Sequence, residues 1–241
     1  MSNVVQIQKQ GNIAIVTMNL PPMNVLSAAN RSGLYDAFTA LDQDASVAGI
    51  IVTGAGRCFS AGADITEFKG KGDAAFSEGR DLSVVCDVLD ASTKPVVAAI
   101  HGFAFGGGFE VALSCHYRVV APGTQVGLPE VNLGLLPGAG GTQRTPRLIG
   151  VEQATKIITS GAPVDAKSAL SLGLIDQIVE GDVIAGAKVF IDGLLAKGDK
   201  PRRIRDIVID PGSFPADFFA KTRVAGTKKR ALAFATQRII D

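Results

Sequence analysis

Pro95–Glu110 reads PVVAAIHGFAFGGGFE. Its first six residues form an apolar, β-branched run, the pattern of a buried strand. Its end brings Gly106, Gly107 and Gly108 directly before Phe109, where an apolar helix (FEVAL) is predicted to start. A strand that runs through glycines into a helix leaves backbone N–H groups unpaired at the helix N-terminus. With the helix dipole, those donors can hold a developing oxyanion, and glycine admits the close approach that a Cβ would block. The plainer reading is that the three glycines only permit tight packing.

The same alternation extends outward. Val4–Gln8 and Asn12–Met18 read as two strands around a Gln10-Gly11 turn, and Pro21-Pro22 ends the second. Ser27 is placed to cap a helix whose buried face is Leu34, Phe38 and Leu41. Ala48–Thr53 reads as a buried strand, followed by a glycine- and alanine-rich loop over Gly54–Ile65. Leu82, Val85, Cys86 and Leu89 lie at helical spacing. Tyr117–Ala121 is a further strand, Gly161 and Gly173 read as helix-ending residues, Leu174–Val179 as a last strand and Ile184–Leu195 as a helix. Strands alternating with helices predict an α/β domain with buried, largely parallel pairing.

Composition narrows the classes. With 46% hydrophobic residues the 241-residue chain can bury a sizeable core and is no disordered segment. Cys58, Cys86 and Cys115 are an odd, sparse set without CxxC, which argues against a disulfide framework. His101 and His116 are the two histidines, too few for a zinc site, so no metal is expected. Pro95–Leu113 is almost free of charge, yet His101, Glu110 and its glycines mark it as core and loop, not a membrane span.

The net charge of +1 conceals a split. Residues 1–196 hold 13 basic and 18 acidic side chains (−5), and residues 197–241 hold 11 and 5 (+6). The expected organisation is a catalytic core over 1–196 and a basic linker or helical tail over 197–241. Pro201, Pro211 and Pro215 start the tail as a connector, and Phe218–Ile240 returns to helix. Lys200, Arg202, Arg203, Arg205, Lys228, Lys229 and Arg230 raise a nucleic-acid reading of this tail. It has phosphate attraction alone behind it, with no aromatic platform, and a solvated charged tail is the better reading.

The glycine clusters are not nucleotide loops. G-x-G-x-x-G fails at Phe59, Val111 and Gln143, and no G-x-x-x-x-G-K-[ST] occurs. Ser60, Asp64 and His101 suggest a hydrolase triad, but no G-x-S-x-G elbow surrounds a serine. Glu110 and Glu130 stand in apolar surroundings. Burial raises a carboxyl pKa, and two such groups beside a glycine-built oxyanion site would complete an acid/base pair.

Four segments together resemble the crotonase (enoyl-CoA hydratase/isomerase) superfamily. They are Asn24-Val25-Leu26, Phe59–Ile65 (FSAGADI), His101–Glu110 (HGFAFGGGFE) and Gly127–Thr142 (GLPEVNLGLLPGAGGT). The likeness covers about residues 3–195. It implies the ClpP/crotonase-like spiral of ββα units, here with a C-terminal extended or helical tail. It further implies that Ala63 and Gly107 N–H form an oxyanion hole for a thioester carbonyl, with Glu110 and Glu130 catalytic. Asn24, Val25, Leu26, Ala61, Gly62, Asp64, Ile65, Gly106 and Gly138 are implied to bind the coenzyme A ester.

The activity implied is hydration of a 2-trans-enoyl-CoA in fatty-acid β-oxidation, with Δ3-Δ2-enoyl-CoA isomerisation as the alternative at the same site. No cofactor is implied, coenzyme A being part of the substrate, and neither nucleic acid nor membrane is an implied partner. Ser114–Arg118, Ile158–Gly161 and the tail are most similar to the N-terminal hydratase part of bifunctional hydratase/3-hydroxyacyl-CoA dehydrogenases. The resemblance therefore implies a homotrimer, or a 3-hydroxyacyl-CoA dehydrogenase domain in a longer natural chain, and a cytoplasmic (bacterial) or peroxisomal location.

Overall fold

The computed structural model describes residues 4–64, 66–67, 80–227 and 233–241. Six strands form the main sheet: β1 (Val5–Gln10), β2 (Ile13–Met18), β3 (Gly49–Gly54), β4 (Val96–Ile100), β6 (Tyr117–Val120) and β9 (Gln177–Ile178), in the order β1-β2-β3-β4-β6-β9. The β1–β2 hairpin is antiparallel and every later pairing is parallel.

Period-two alternation sorts the apolar residues to two faces. Ala14, Val16, Met18, Ile50, Val52, Val96, Ala98, Ile100 and Val120 enter one core. Ile13, Ile15, Ile51, Val97, Ala99 and Val119 enter the other. On the first face lie α1 (Ala28–Gln43), α2 (Leu82–Ala91) and α3 (Gly107–Ser114). The second is covered by α7 (Val183–Lys197), which buries Val183, Ala187 and Ile191 four residues apart. Burial on both faces explains why the strands read as continuous apolar runs.

Local signals set the ends. Ser27 Oγ accepts from Asn30 N at the start of α1, and Leu34, Phe38 and Leu41 are its buried stripe. Gly161 and Gly173 end α5 (Val151–Ser160) and α6 (Ala166–Leu172) in the left-handed conformation. Helix α3 starts at Gly107, two residues before the expected position. Leu174–Val179 contributes two strand residues, not six.

A second sheet has no counterpart in the sequence pattern. It pairs β5 (Phe103–Phe105) with β7 (Gln125–Gly127) in parallel, and β7 with β8 (Val164–Asp165) antiparallel. Strands of two or three residues carry no periodicity to read.

The basic tail lies against the core. Ile204 is buried, Arg202 pairs with Asp176 at 2.6 Å, Arg205 with Asp90 at 3.5 Å, and Arg203 donates to Ala91 O. Helices α8 (Phe218–Thr227) and α9 (Ala233–Ile240) follow, and α9 packs on α8 and α5. Lys228, Lys229 and Arg230 lie outside the described residues. No helix among the described residues is long and apolar enough to cross a membrane.

Candidate active site

A cavity of about 550 Å³ opens at the N-terminus of α3. Its walls come from the Ala61–Ala63 loop, the 3₁₀ turn Pro129–Leu133, the loop Leu135–Ala139, Leu82 of α2, and α9.

Two backbone donors meet on one wall. Gly106 has φ +53° and ψ −130°, which turns the chain so that Gly107 opens α3. As the first residue of the helix, Gly107 has no carbonyl one turn back to receive its N–H. Ala63 lies beside it: a methyl group on Gly107 would be 3.5 Å from Ala63 N. Ala63 is held by a parallel bridge to Leu26 in which Leu26 N donates to Gly62 O at 2.8 Å, leaving the Ala63 N–H out of the pairing. Gly108 serves packing, since a methyl there would be 2.7 Å from Ser60 Cβ. The triple glycine thus puts a helix-opening N–H at Gly107 beside Ala63 and close packing at Gly108.

Two carboxyls occupy the same cavity. Glu110, one turn into α3, is 3% exposed. Its Oε1 accepts from Ala139 N at 2.7 Å and Gly141 N at 2.8 Å, at the N-terminus of α4 (Gly141–Ile149). Burial raises its pKa, against the pull of those two amides and of the Arg144 guanidinium. Glu130 sits on the 3₁₀ turn, and its Oε2 is buried without a hydrogen-bond partner among the described residues. Burial, then the charge of Glu110, pushes Glu130 up to about 7. Burial thus raises both carboxyls; the amides and Arg144 oppose that rise at Glu110, whereas the charge of Glu110 adds to it at Glu130.

Of the residues expected from sequence, Glu110, Glu130, Ala63, Gly107, Leu26, Ala61, Gly62, Gly106 and Gly138 line this cavity. Asn24, Val25 and Asp64 do not, and Ile65 lies outside the described residues. Asn24 is fully buried with φ +48°; its Nδ2 donates to Ala55 O and Cys58 O, and its Oδ1 accepts from Leu20 N. It ties two loops together behind the site. Asp64 caps its own turn through Thr66.

The triad residues are engaged separately. Ser60 Oγ donates to Asn24 O, and His101 Nε2 lies 3.0 Å from Gly56 O.

Sequence reasoning missed Arg31, Glu67, Asp81, Leu133, Leu135, Leu136, Phe234 and Arg238 in the lining. The leucines carried a usable signal: three large apolar residues in four positions after Glu130, and they are 65%, 50% and 41% exposed. Phe234 and Arg238 carried none, because a helix far along the chain supplies them.

The chain is similar to several known proteins. The family model described as enoyl-CoA hydratase/isomerase matches residues 8–199. The peroxisomal bifunctional enzyme of Danio rerio is 42% identical over 193 residues, covering 80% of this chain and 26% of that protein. A Bacillus subtilis (strain 168) protein named probable enoyl-CoA hydratase is 41% identical over 191 residues, 77% of this chain and 74% of its own length. Among solved structures, Pseudomonas aeruginosa DspI has a TM-score of 0.78 at 32% identity, covering 96% of this chain and 84% of that one. The enoyl-CoA hydratase of Bacillus anthracis has a TM-score of 0.76 at 28% identity, covering 98% and 89%. The chain spans about a quarter of the length of the bifunctional relatives. With a match over most of its length and a shared mixed α/β fold, the chain belongs to the enoyl-CoA hydratase/isomerase family.

Proposed function

We propose that this chain catalyses reversible addition of water to 2-trans-enoyl-CoA, giving 3-hydroxyacyl-CoA in fatty-acid β-oxidation. The observation that carries the reading is the pairing of a buried and a half-buried carboxyl with two neighbouring backbone N–H groups in one cavity. The thioester oxygen sits at Ala63 N–H and Gly107 N–H, which stabilise the charge that develops as C3 is attacked. Water is held between the glutamates. Ionised Glu110 takes its proton as oxygen bonds to C3, and protonated Glu130 gives a proton to C2. Both amide hydrogen bonds to Glu110 fall on Oε1, which leaves Oε2 for the water.

Transfer of a proton between C2 and C4, converting a 3-enoyl to a 2-enoyl ester, is a second reading. Glu130 favours it, because a carboxyl pushed to about 7, with one oxygen unpartnered among the described residues, can give and retake a proton on its own. In either case the acyl-CoA ester is the partner of the cavity. A dehydrogenase domain in a longer chain is proposed on the likeness to the bifunctional relatives.

Loss of the enoyl-thioester absorbance with crotonyl-CoA tests the main reading. Glu110→Gln and Glu130→Gln should each lower kcat by about a hundredfold or more. Unchanged hydration by Glu110→Gln would sink it.

A further inference from the structure

A second hollow of about 300 Å³ adjoins the first and shares Gly138 and Ala139 with it. Its charged lining is Asp87 and Asp90 of α2, Arg144 and Arg147 of α4, and Arg205 of the tail.

Arg144 is the central group. It is 7% exposed, and its Nη1 donates to Ala139 O at 2.9 Å. Ala139 N in turn donates to Glu110 Oε1 at 2.7 Å. The guanidinium folds so closely over Gly140 that a methyl group there would collide with Nη1. Nη2 lies 3.4 Å from Asp90 Oδ2 and 3.4 Å from Asp87 Oδ1, while Nε is buried with no hydrogen-bond partner among the described residues. Asp90 is itself buried and also meets Arg205 Nε at 3.5 Å.

Two long ion pairs and an orphaned Nε are a poor way to hold a helix in place. An apolar side chain of similar volume would do so with no charge to desolvate. What an apolar side chain would lack is a positive charge beside the loop that grips Glu110.

We propose that Arg144 is a positioning residue for Glu110: it pins the Ala139–Gly141 amides on Oε1 and sets a positive charge beside the carboxyl, with Asp90 and Arg205 setting the strength of its field. This rests on reading Glu110 as the base. Among the described residues, the groups facing Glu110 are Glu130 across the cavity, Cys86 of α2, whose thiol burial pushes up to about 12, and Arg144 of α4. Asp87, Asp90 and Arg205 act on it through Arg144. The signs follow from Coulomb's law: loss of the Arg144 charge makes Glu110 harder to ionise, and loss of the Asp90 charge makes it easier.

The test is an infrared titration of the carboxyl stretch in the substrate-free protein, with Glu110→Gln and Glu130→Gln assigning the bands. Arg144→Met should raise the Glu110 midpoint by about one pH unit, Arg144→Lys should restore part of that, and Asp90→Asn should lower it. An unmoved midpoint in folded Arg144→Met, or an upward shift in Asp90→Asn, would overturn the proposal. If Arg144→Met does not fold, Asp90→Asn and Arg144→Lys decide: a lowered midpoint in the first and one raised by less than about one pH unit in the second support it, and any other pair of results refutes it. No turnover is required, so failure to hydrate any enoyl ester would refute the reaction assigned above and leave this result standing.

Discussion

A methyl group on Gly106 would stand 3.0 Å from Glu130 Oε1. The backbone that aims the Gly107 N–H is therefore also the surface against which the proposed acid rests. Gly106→Ala strains a residue at φ +53° and moves both groups. It should lower kcat about a hundredfold while KM changes little, as steady-state rates with crotonyl-CoA will show.

Glu130 should give the reaction its basic limb. A group that must be protonated to donate, and that is pushed up to about 7, loses activity as pH rises through about 7. The stability effect has a defined sign. The folded state binds the proton more tightly than the unfolded state, whose carboxyl titrates near the ordinary 4.5, so stability is lost as pH rises from there through about 7. Glu130→Gln should remove this loss. Thermal melts should find it more stable than the parent by about 2 kcal/mol near pH 8, with the gap closing as the pH falls toward the ordinary glutamate range.

Asn24→Ala should damage the site from behind. It deletes three hydrogen bonds, orphans the buried carbonyl of Cys58, and places alanine at a positive φ. A loss of about 3 kcal/mol is expected in urea unfolding, together with a lower kcat.

Asp176 should matter far more than the arginine that meets it from the tail. It pairs with Arg118, whose side chain is 0% exposed, and with Arg202, which is 40% exposed. Asp176→Ala strands the buried guanidinium and should cost about 3–5 kcal/mol. Arg202→Ala should cost about 1 kcal/mol or less. Parallel denaturation curves will separate the two.

Arg238 is a tail cation that lines the cavity, 5.2 Å over the Phe234 ring. Arg238→Ala should raise KM for a CoA ester several-fold at low salt, and the difference should shrink as salt screens the phosphates. Arg202→Ala, whose charge is spent on Asp176, should leave KM unchanged.

The legible part of the molecule was the part built by local chemistry. The apolar runs at Ile13, Ile50 and Val96, the Ser27 cap and the glycine ends at Gly161 and Gly173 each fix their element within a few residues. Glu110 and Glu130 were legible because a carboxyl in an apolar run is conspicuous. Arg144 was not, since what sets it apart is burial against Asp90 of α2, which Arg205 of the tail also meets, and no spacing along the chain encodes those contacts. Asn24 stands in the expected neighbourhood, its side chain satisfying backbone carbonyls and lying outside the cavity lining. The tail read as a connector because its prolines and charges resemble one, whereas Ile204, Ala235 and Ile240 are buried in tertiary packing that its composition hides.

The short parallel pairing of β5 with β7 has a mechanical consequence. Gly106 N donates to Gly127 O at 2.9 Å, so the turn before α3 and the strand leading to Glu130 are stitched edge to edge. The spacing between Glu130 and the Gly107 N–H is thus set like a gauge block, by the short covalent run from Gly127 to Glu130 beyond a shared ladder.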